Sequence, residues 1–220
     1  MSAHIGTKQM TGKWPESRLG AELYGFNREF LELLRDGARE PHVFGLDAPV
    51  RQRLAELNGV QLDSIASTPC LLASFSVLPP ARSPRGVAEP SGLRPSPIPA
   101  PLAEAARLFA ASLLAWLWHA AREDRLLAVL CIGPGLDDLD GLSGAAFSDL
   151  QRAAVTATEC LEARFCRHPR LWPDLLRAAA SGDTQLMAAT RLSAVQLTLV
   201  QRVPLSGVQR DSLRRPPTRH

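Results

Sequence analysis

The residue types that could perform chemistry are few in this chain, and they do not combine into a known catalytic pattern. The closest cluster of metal-ligand types is Cys160, Cys166 and His168, whose spacing matches no standard zinc site and which has no evident fourth ligand. We therefore expect buried thiols here rather than a metal site. Nucleophilic catalysis needs a base within reach of Ser, Thr or Cys, and none of the five histidines falls in such a motif.

Motifs that bind phosphates or cofactors are also absent. The chain has no GxxxxGK(S/T) loop, no GxGxxG turn and no HExxH helix, so the physical basis for ATP, dinucleotide or zinc-protease chemistry is missing. Three aspartates in residues 135–142 resemble part of a calcium loop, but Leu136 occupies its first ligand position. An acidic cap at a helix N-terminus is the favoured interpretation. We predict a protein that is not an enzyme and that binds no cofactor and no metal.

Composition describes small globular units without a membrane segment. The 220 residues are 45% hydrophobic and carry a formal net charge of +3, which is too small for a nucleic-acid coat protein. Cysteines without a CxxC pair favour a reducing cytoplasm. The N-terminus lacks an apolar signal region, and the most apolar run, residues 108–121, is shorter than the ~20 residues of a spanning helix. We expect a cytoplasmic protein.

Proline content divides the chain into two parts. Eight of the eighteen prolines fall in residues 78–101, which predicts a stiff, polyproline-like linker; the alternative is a long ordered loop packed on one domain. We expect a mainly α fold with two small helical modules, at 17–77 and 102–203, each with a short terminal strand and held apart by the linker. Residues 1–16 and the basic tail 204–220 are predicted to be disordered.

Helical periodicity in the first module predicts a binding seam. A helix over residues 18–36 places Leu23, Phe26, Phe30 and Leu33 on one face, and we assign these four to binding a partner protein. Shorter helices follow. The first begins near Asp47 and ends at Asn58-Gly59, and the second carries Leu62 and Ile65. Alternation from Leu71 to Val77 then predicts a strand.

The second module is again mainly helical. A long helix is predicted over residues 102–130, followed by a break at Gly133 to Gly135. The next predicted helix has a seam of apolar side chains, namely Phe147, Leu150, Ala154, Ala157 and Leu161. A further helix is opened by Pro169 and closed by Gly182. The segment from Leu186 to Val203 fits either a helix or a strand.

DNA contact is predicted near the end of the chain. A helix around residues 185–190 could turn at Arg191-Leu192, with Ser193 capping a second helix that enters the major groove. The turn lacks a glycine, so an amphipathic hairpin or a strand is the alternative. Arginines of the tail would add salt-sensitive affinity, or belong to a solubilising end. The candidate DNA-binding residues are Arg191, Gln196, Arg202, Arg210, Arg214 and Arg215.

Residues 22–77 resemble the flagellar master regulator subunit FlhD. Asn27, Phe30 and Leu31 stand where that family has its Asn and the following aromatic residue and Leu, and residues 44–75 follow the family pattern without a gap. Particularly similar are Leu57, Gln61, Leu62, Ile65, Ala66, Thr68 and Phe75. A looser second copy spans residues 113–165, with a gap near Gly135. Because the family works as a dimer, two copies imply a covalent pseudo-dimer.

The resemblance implies a role and also has departures. It implies a bacterial regulator that binds a partner protein and modulates transcription as part of a complex, with any DNA contact made through that complex. The family's bridging cysteine would fall at Ala73, so that link is absent from the first copy. Nothing here resembles the cysteine-rich zinc site of its partner FlhC. The alternative is a structural or adaptor protein of a secretion or conjugation apparatus, and homo-oligomerisation stays open.

Overall fold

The computed structural model describes residues 18–40, 43–76, 100–123, 128 and 136–200. Its elements, in chain order, are α1 (Arg18–Asp36), a 3₁₀ turn (Val43–Gly45), α2 (Ala48–Ala55), α3 (Gly59–Ala66), β1 (Ala73–Phe75), α4 (Ala100–Glu123), α5 (Leu136–Ser143), α6 (Phe147–Ala157), a second 3₁₀ turn (Thr158–Cys160), β2 (Leu161–Ala163), α7 (Leu171–Ser181) and α8 (Thr184–Val200). The prediction of a mainly α fold is confirmed. Nearly all of the predicted linker, the break near Pro134 and both predicted disordered ends lie outside the described residues. No helix described here combines the length and hydropathy needed to cross a bilayer.

Several of the helix ends follow from local side-chain chemistry. At the start of α3, Asn58 Oδ1 accepts from the Gln61 backbone N–H at 3.0 Å while Gln61 Oε1 accepts from the Asn58 N–H at 2.9 Å. This reciprocal cap satisfies two donors that a helix start otherwise leaves unpaired. At the other end of the chain, Gly182 adopts a left-handed φ of 67° and ends α7. Asp183 Oδ1 then accepts from two backbone N–H groups and starts α8.

The two long helices, α1 and α4, pack against each other through aromatic side chains. The Phe30 ring stacks on Phe109 with centroids 5.5 Å apart, and Phe26 meets Trp116 at 5.3 Å. Trp116 Nε1 also donates to Glu22 across this contact at 2.9 Å. Helices α2 and α3 pack on α1, whereas α5 and α6 pack on α4. Buried side chains from both parts of the chain form one continuous core.

This shared core corrects the expectation that the linker holds two modules apart. Residues from the first part and the second part bury one another, because each long helix has an apolar face that its own short helices do not fully cover. Strand β1 of the first part also pairs with β2 of the second part, which is a second contact between the two parts. The predicted separation of the modules is therefore wrong. In the second part, α5 (Leu136–Ser143) was not predicted, and α4 is described only as far as Glu123.

Strands β1 and β2 form an antiparallel pair. Ala73 lies opposite Ala163, and Phe75 lies opposite Leu161. Backbone hydrogen bonds flank this pair, from Arg164 N to Leu72 O at 2.7 Å and from Ser76 N to Cys160 O at 2.8 Å. Since bonded and non-bonded pairs alternate in an antiparallel ladder, Ala73 and Ala163 form a non-hydrogen-bonded pair, whose Cα atoms approach to about 4.5 Å.

A buried asparagine fixes the path of the chain into β1. Asn27 on α1 is completely buried, and its Nδ2 group lies 3.1, 3.1 and 3.0 Å from the carbonyl oxygens of Ala66, Thr68 and Cys70. Its Oδ1 atom accepts from the Leu72 N–H at 2.8 Å. One side chain thereby satisfies backbone groups that α3 and β1 leave unpaired. This turn is anchored to α1 just before the strand begins.

Helices α7 and α8 follow β2 and cover the first part of the chain. Helix α7 packs on α2 and α3, and α8 packs on α7. Trp172 is fully buried and donates from Nε1 to the Arg164 carbonyl at 2.8 Å, which ties α7 to the end of β2. The segment that fitted either a helix or a strand is a single helix, α8. Two residues of the seam predicted for α6 are placed differently in the structure. Phe147 is 57% exposed, and Leu161 belongs to β2 and not to the helix.

Candidate functional site

The four residues predicted to bind a partner lie in the core. Leu23, Phe30 and Leu33 are buried, and Phe26 is partly buried against Phe109 and Trp116. The seam was identified correctly as an apolar face of α1, but α4 of the same chain covers it. Leu23, Phe30 and Leu33 therefore present no surface to a separate molecule, and Phe26 is only partly accessible.

The predicted helix–turn–helix is replaced by one continuous helix. Residues 184–200 form α8 without a turn at Arg191-Leu192, because nothing there breaks the helical hydrogen bonds. Ser193 Oγ donates to the Ala189 carbonyl within the helix at 3.1 Å instead of capping a new one. Two helices and a turn are required to present a recognition helix in this manner. The helix–turn–helix prediction is wrong.

The candidate DNA-binding residues are not brought together within the described part of the chain. Arg191 is half-buried, and its guanidinium donates to the carbonyl of Ser64 on α3. Burial lowers the pKa of Arg191 from its usual value. Gln196 is exposed on α8. The remaining four lie outside the described residues: Arg202, Arg210, Arg214 and Arg215.

The cysteine and histidine cluster has structural roles. His168 Nδ1 accepts from the Leu171 N–H at 3.1 Å, so this ring nitrogen caps the start of α7. Burial raises the pKa of the Cys166 thiol, and the nearby Glu162 raises it further. Burial also raises the pKa of the Cys70 thiol. A raised pKa disfavours the thiolate that acts as nucleophile or ligand. Among the described residues, no group of His, Cys, Asp and Glu side chains could hold a metal ion.

A groove of about 650 Å³ runs between α7 and α8. Its floor is apolar and is formed by Leu171, Leu186 and Leu197, each of which also packs against the core. Arg170 and Arg177 stand at its α7 side, and both are exposed. We define these two helices and the channel between them as the α7–α8 groove. An apolar channel with a polar edge is the usual form of a binding site for a helix or peptide.

Helix α8 has an unusual distribution of side chains between its two faces. Its buried face contains Met187, Thr190, Ala194 and Thr198. Both threonine hydroxyls donate to carbonyls of their own helix, at 2.8 Å to Leu186 and at 3.0 Å to Ala194. Its exposed residues include larger apolar side chains, with Leu192 at 58%, Leu199 at 45% and Val200 at 68% exposure. The exposed side of α8 is therefore more apolar than its buried side in these three side chains.

Charge along the α7–α8 groove is weakly positive. Arg177 pairs with Asp174 one turn earlier on α7, which leaves the Arg177 side chain 65% exposed. Arg170 forms no ion pair with any residue that the structure describes. Among the residues that the structure describes, Asp174 is the single acidic side chain that lines this channel. The groove therefore combines an apolar floor with a basic edge.

The groove could not be predicted from the sequence, because its shape depends on how α7 and α8 pack against each other. The nearest signal in the sequence is a stripe on α8 at steps of three and four, from Leu186 through Ser193 and Leu197 to Val200. Searches of protein families, curated proteins and solved structures returned no match to this chain.

Proposed function

We propose that this chain is a non-enzymatic bacterial regulator in which two FlhD-like copies pair within one polypeptide. In this proposal it binds a partner protein in the cytoplasm and modulates transcription as part of that complex. The partner is an FlhC-like subunit or another protein that contacts DNA. Contact between this chain and DNA is secondary, since Gln196 is the one exposed candidate among the described residues.

The repeated order of elements supports the pairing of two copies. A long helix, two short helices and a short strand occur first as α1, α2, α3 and β1, and again as α4, α5, α6 and β2. In both copies the short helices pack on the long helix of their own copy. The long helices then contact each other, as do the strands. This arrangement is the one expected of a dimer whose subunits have been joined in one chain.

The strongest support for the proposal is the register of the pair formed by β1 and β2. Ala73 and Ala163 each lie two residues before the phenylalanine that ends its copy, Phe75 in the first and Phe165 in the second. A two-fold axis between two copies places such equivalent positions opposite each other, and Ala73 pairs with Ala163. The resemblance locates the family's bridging cysteine at Ala73. Equivalent residues facing each other at that position are what a covalent pseudo-dimer requires.

Asn27 gives separate support. It is one of the residues on which the resemblance depends, and its four hydrogen bonds hold the turn that leads into the pairing strand. A family-specific asparagine is understandable at this place, because alanine or leucine would leave the Leu72 N–H buried without an acceptor. The same residue thus links the family pattern to the formation of the strand pair.

The proposal is tested by purifying the tagged full chain from its native host. A regulator should bring a second, DNA-binding protein with it, and the complex should retard promoter DNA in a manner that weakens with salt. The free chain should retard the same DNA much less. Recovery of the chain without a DNA-binding partner would contradict the regulatory role.

An adaptor of a secretion or conjugation apparatus is the second candidate. It is favoured by the exposed face of α8, where Leu192, Leu199 and Val200 suit contact with proteins better than contact with phosphates. The same purification separates the two roles. An adaptor should recover an apparatus component and leave promoter DNA unshifted at physiological salt, whereas a regulator should do the reverse.

A further inference from the structure

We infer that the α7–α8 groove binds an acidic amphipathic helix of a partner protein. The inference rests on the proposed role as a partner-binding regulator, and it names the surface and the chemical class of the bound segment. Groove-lining residues on α8 run from Leu186 to Val200 in one stripe. At a rise of 1.5 Å per residue this stripe is about 21 Å long, which equals about four turns of a bound helix.

The apolar floor argues for a helix with a hydrophobic face. Leu186 and Leu197 lie eleven residues apart on α8, about three turns, and Leu171 of α7 lines the same groove, so apolar side chains are spread along the length of the channel. Val200 extends this surface at the far end and is 68% exposed. Leucine and valine side chains gain nothing from a phosphate backbone, so the groove favours a protein segment over DNA.

The basic edge argues for an acidic flank on the bound helix. Arg170 has no ion-pair partner among the residues described, and Arg177 keeps most of its side chain exposed beside Asp174. Glutamates on one flank of the bound helix would meet these two arginines. A helix flanked by lysines would meet two like charges there instead.

None of the longer segments of this chain beyond the described residues has the net negative charge that would complement the groove edge. Residues 201–220 contain five arginines and one aspartate, and residues 77–99 contain three arginines and one glutamate. Residues 1–17 contain two lysines and one glutamate. These three segments are net positive, as is the groove edge, and a further stretch, residues 124–127 and 129–135, is neutral with one aspartate and one arginine. Charge complementarity therefore points to a different molecule.

The test uses a synthetic 18-residue helix with leucines at steps of three and four and glutamates on both flanks. A second peptide replaces every glutamate by lysine. Fluorescence anisotropy of the labelled peptides should show saturable binding of the acidic peptide to the full chain. The lysine peptide should bind at least about tenfold more weakly, because its flank repels the two arginines.

Substitutions at exposed residues then test whether the peptide binds in the α7–α8 groove. Val200→Asp should weaken the acidic peptide about tenfold, since it removes an apolar contact and adds a like charge. Arg177→Glu should weaken it about threefold to tenfold. Two variants on α6 are matched controls. Val155 is 74% exposed, and Arg152 pairs with Asp149 just as Arg177 pairs with Asp174, so Val155→Asp and Arg152→Glu should leave binding within about twofold of wild type.

Several results would overturn the inference. These are equal binding of both peptides, equal losses in the control variants, no saturable binding, displacement of the peptide by duplex DNA, and protection of the groove by a second copy of this chain. The outcome is separable from that of the proposed function. If Val200→Asp still recovers the native DNA-binding partner while the peptides fail, the groove assignment falls and the regulatory role stands; the opposite pattern removes the regulatory role alone.

Discussion

Replacement of Asn27 by alanine should strongly destabilise the fold, because one buried side chain serves four backbone groups. Its amide has two N–H donors, which are shared among three carbonyl oxygens at 3.0 to 3.1 Å. Its Oδ1 atom is the acceptor for Leu72 N–H at 2.8 Å. An orphaned buried N–H costs about 1–3 kcal/mol, and each lost donor adds about 1 kcal/mol. We therefore expect Asn27→Ala to lower the free energy of unfolding by about 4 kcal/mol.

Asn27→Asp sharpens the test because it keeps nearly the same shape. The carboxylate can still accept from Leu72, but it places negative charge against the carbonyl oxygens of Ala66, Thr68 and Cys70. At pH 7 it should destabilise more than alanine does. Burial among acceptors should raise the pKa of this carboxyl above its unfolded value, so the stability of Asn27→Asp should improve as the pH falls and the protonated acid donates one hydrogen bond.

Urea unfolding followed by circular dichroism, at pH 7 and at about pH 4, measures both effects. Asn58→Ala is the matched control, since Asn58 is exposed and caps only α3; its loss should be about 1 kcal/mol and independent of pH. A loss below 1 kcal/mol for Asn27→Ala, or wild-type stability of Asn27→Asp at pH 7, would refute the assignment of Asn27 as the anchor of this turn.

Three further substitutions test the core and the strand pair. Phe30→Ala should lower the free energy of unfolding by about 4 kcal/mol in urea titrations, because Phe30 is completely buried between the long helices; a loss under 1 kcal/mol would contradict that placement. Trp116→Phe should cost about 1 kcal/mol by removing the bond to Glu22, and a double-mutant cycle with Glu22→Ala should give a coupling energy that is clearly above zero. Burial raises the pKa of Glu162 despite the opposing Arg167, so its contribution to stability is present below the unfolded pKa and lost as pH rises through the folded value. Glu162→Gln should therefore stabilise the protein at pH 7 and change little near pH 4; an equal effect at both pH values would show that ionisation is not the cause.

Periodicity predicted the elements well where one face is buried throughout. The apolar face of α1 with Leu23, Phe30 and Leu33 was identified, although it is buried within the chain and not open to a partner, and β1 begins at Ala73 within the predicted strand. The covering partner of the seam could not be predicted, because a 3.6-residue period identifies the buried face and not the element that covers it. The interaction of α1 with α4 depends on packing between distant segments.

The predictions that were wrong for the second half of the chain failed for specific physical reasons. Ser193 was interpreted as a helix cap, yet its hydroxyl bonds within a continuous α8 because the segment has no glycine or proline to end the helix. Phe147 fitted the helical seam of α6, but it lies at the exposed start of that helix beside Trp118, at a centroid distance of 6.1 Å. The α7–α8 groove was missed altogether, since its floor combines residues from two helices.

A disulfide between Ala73→Cys and Ala163→Cys tests most directly whether the two copies pair within one chain. Cα atoms of a non-hydrogen-bonded pair are close enough for such a bond. After mild oxidation, we expect an internal disulfide, mapped by mass spectrometry, in a single chain of 23.9 kDa that still recovers its partner protein from the host. Disulfides found only between two chains, or no bond between these positions, would contradict the pairing on which this account depends.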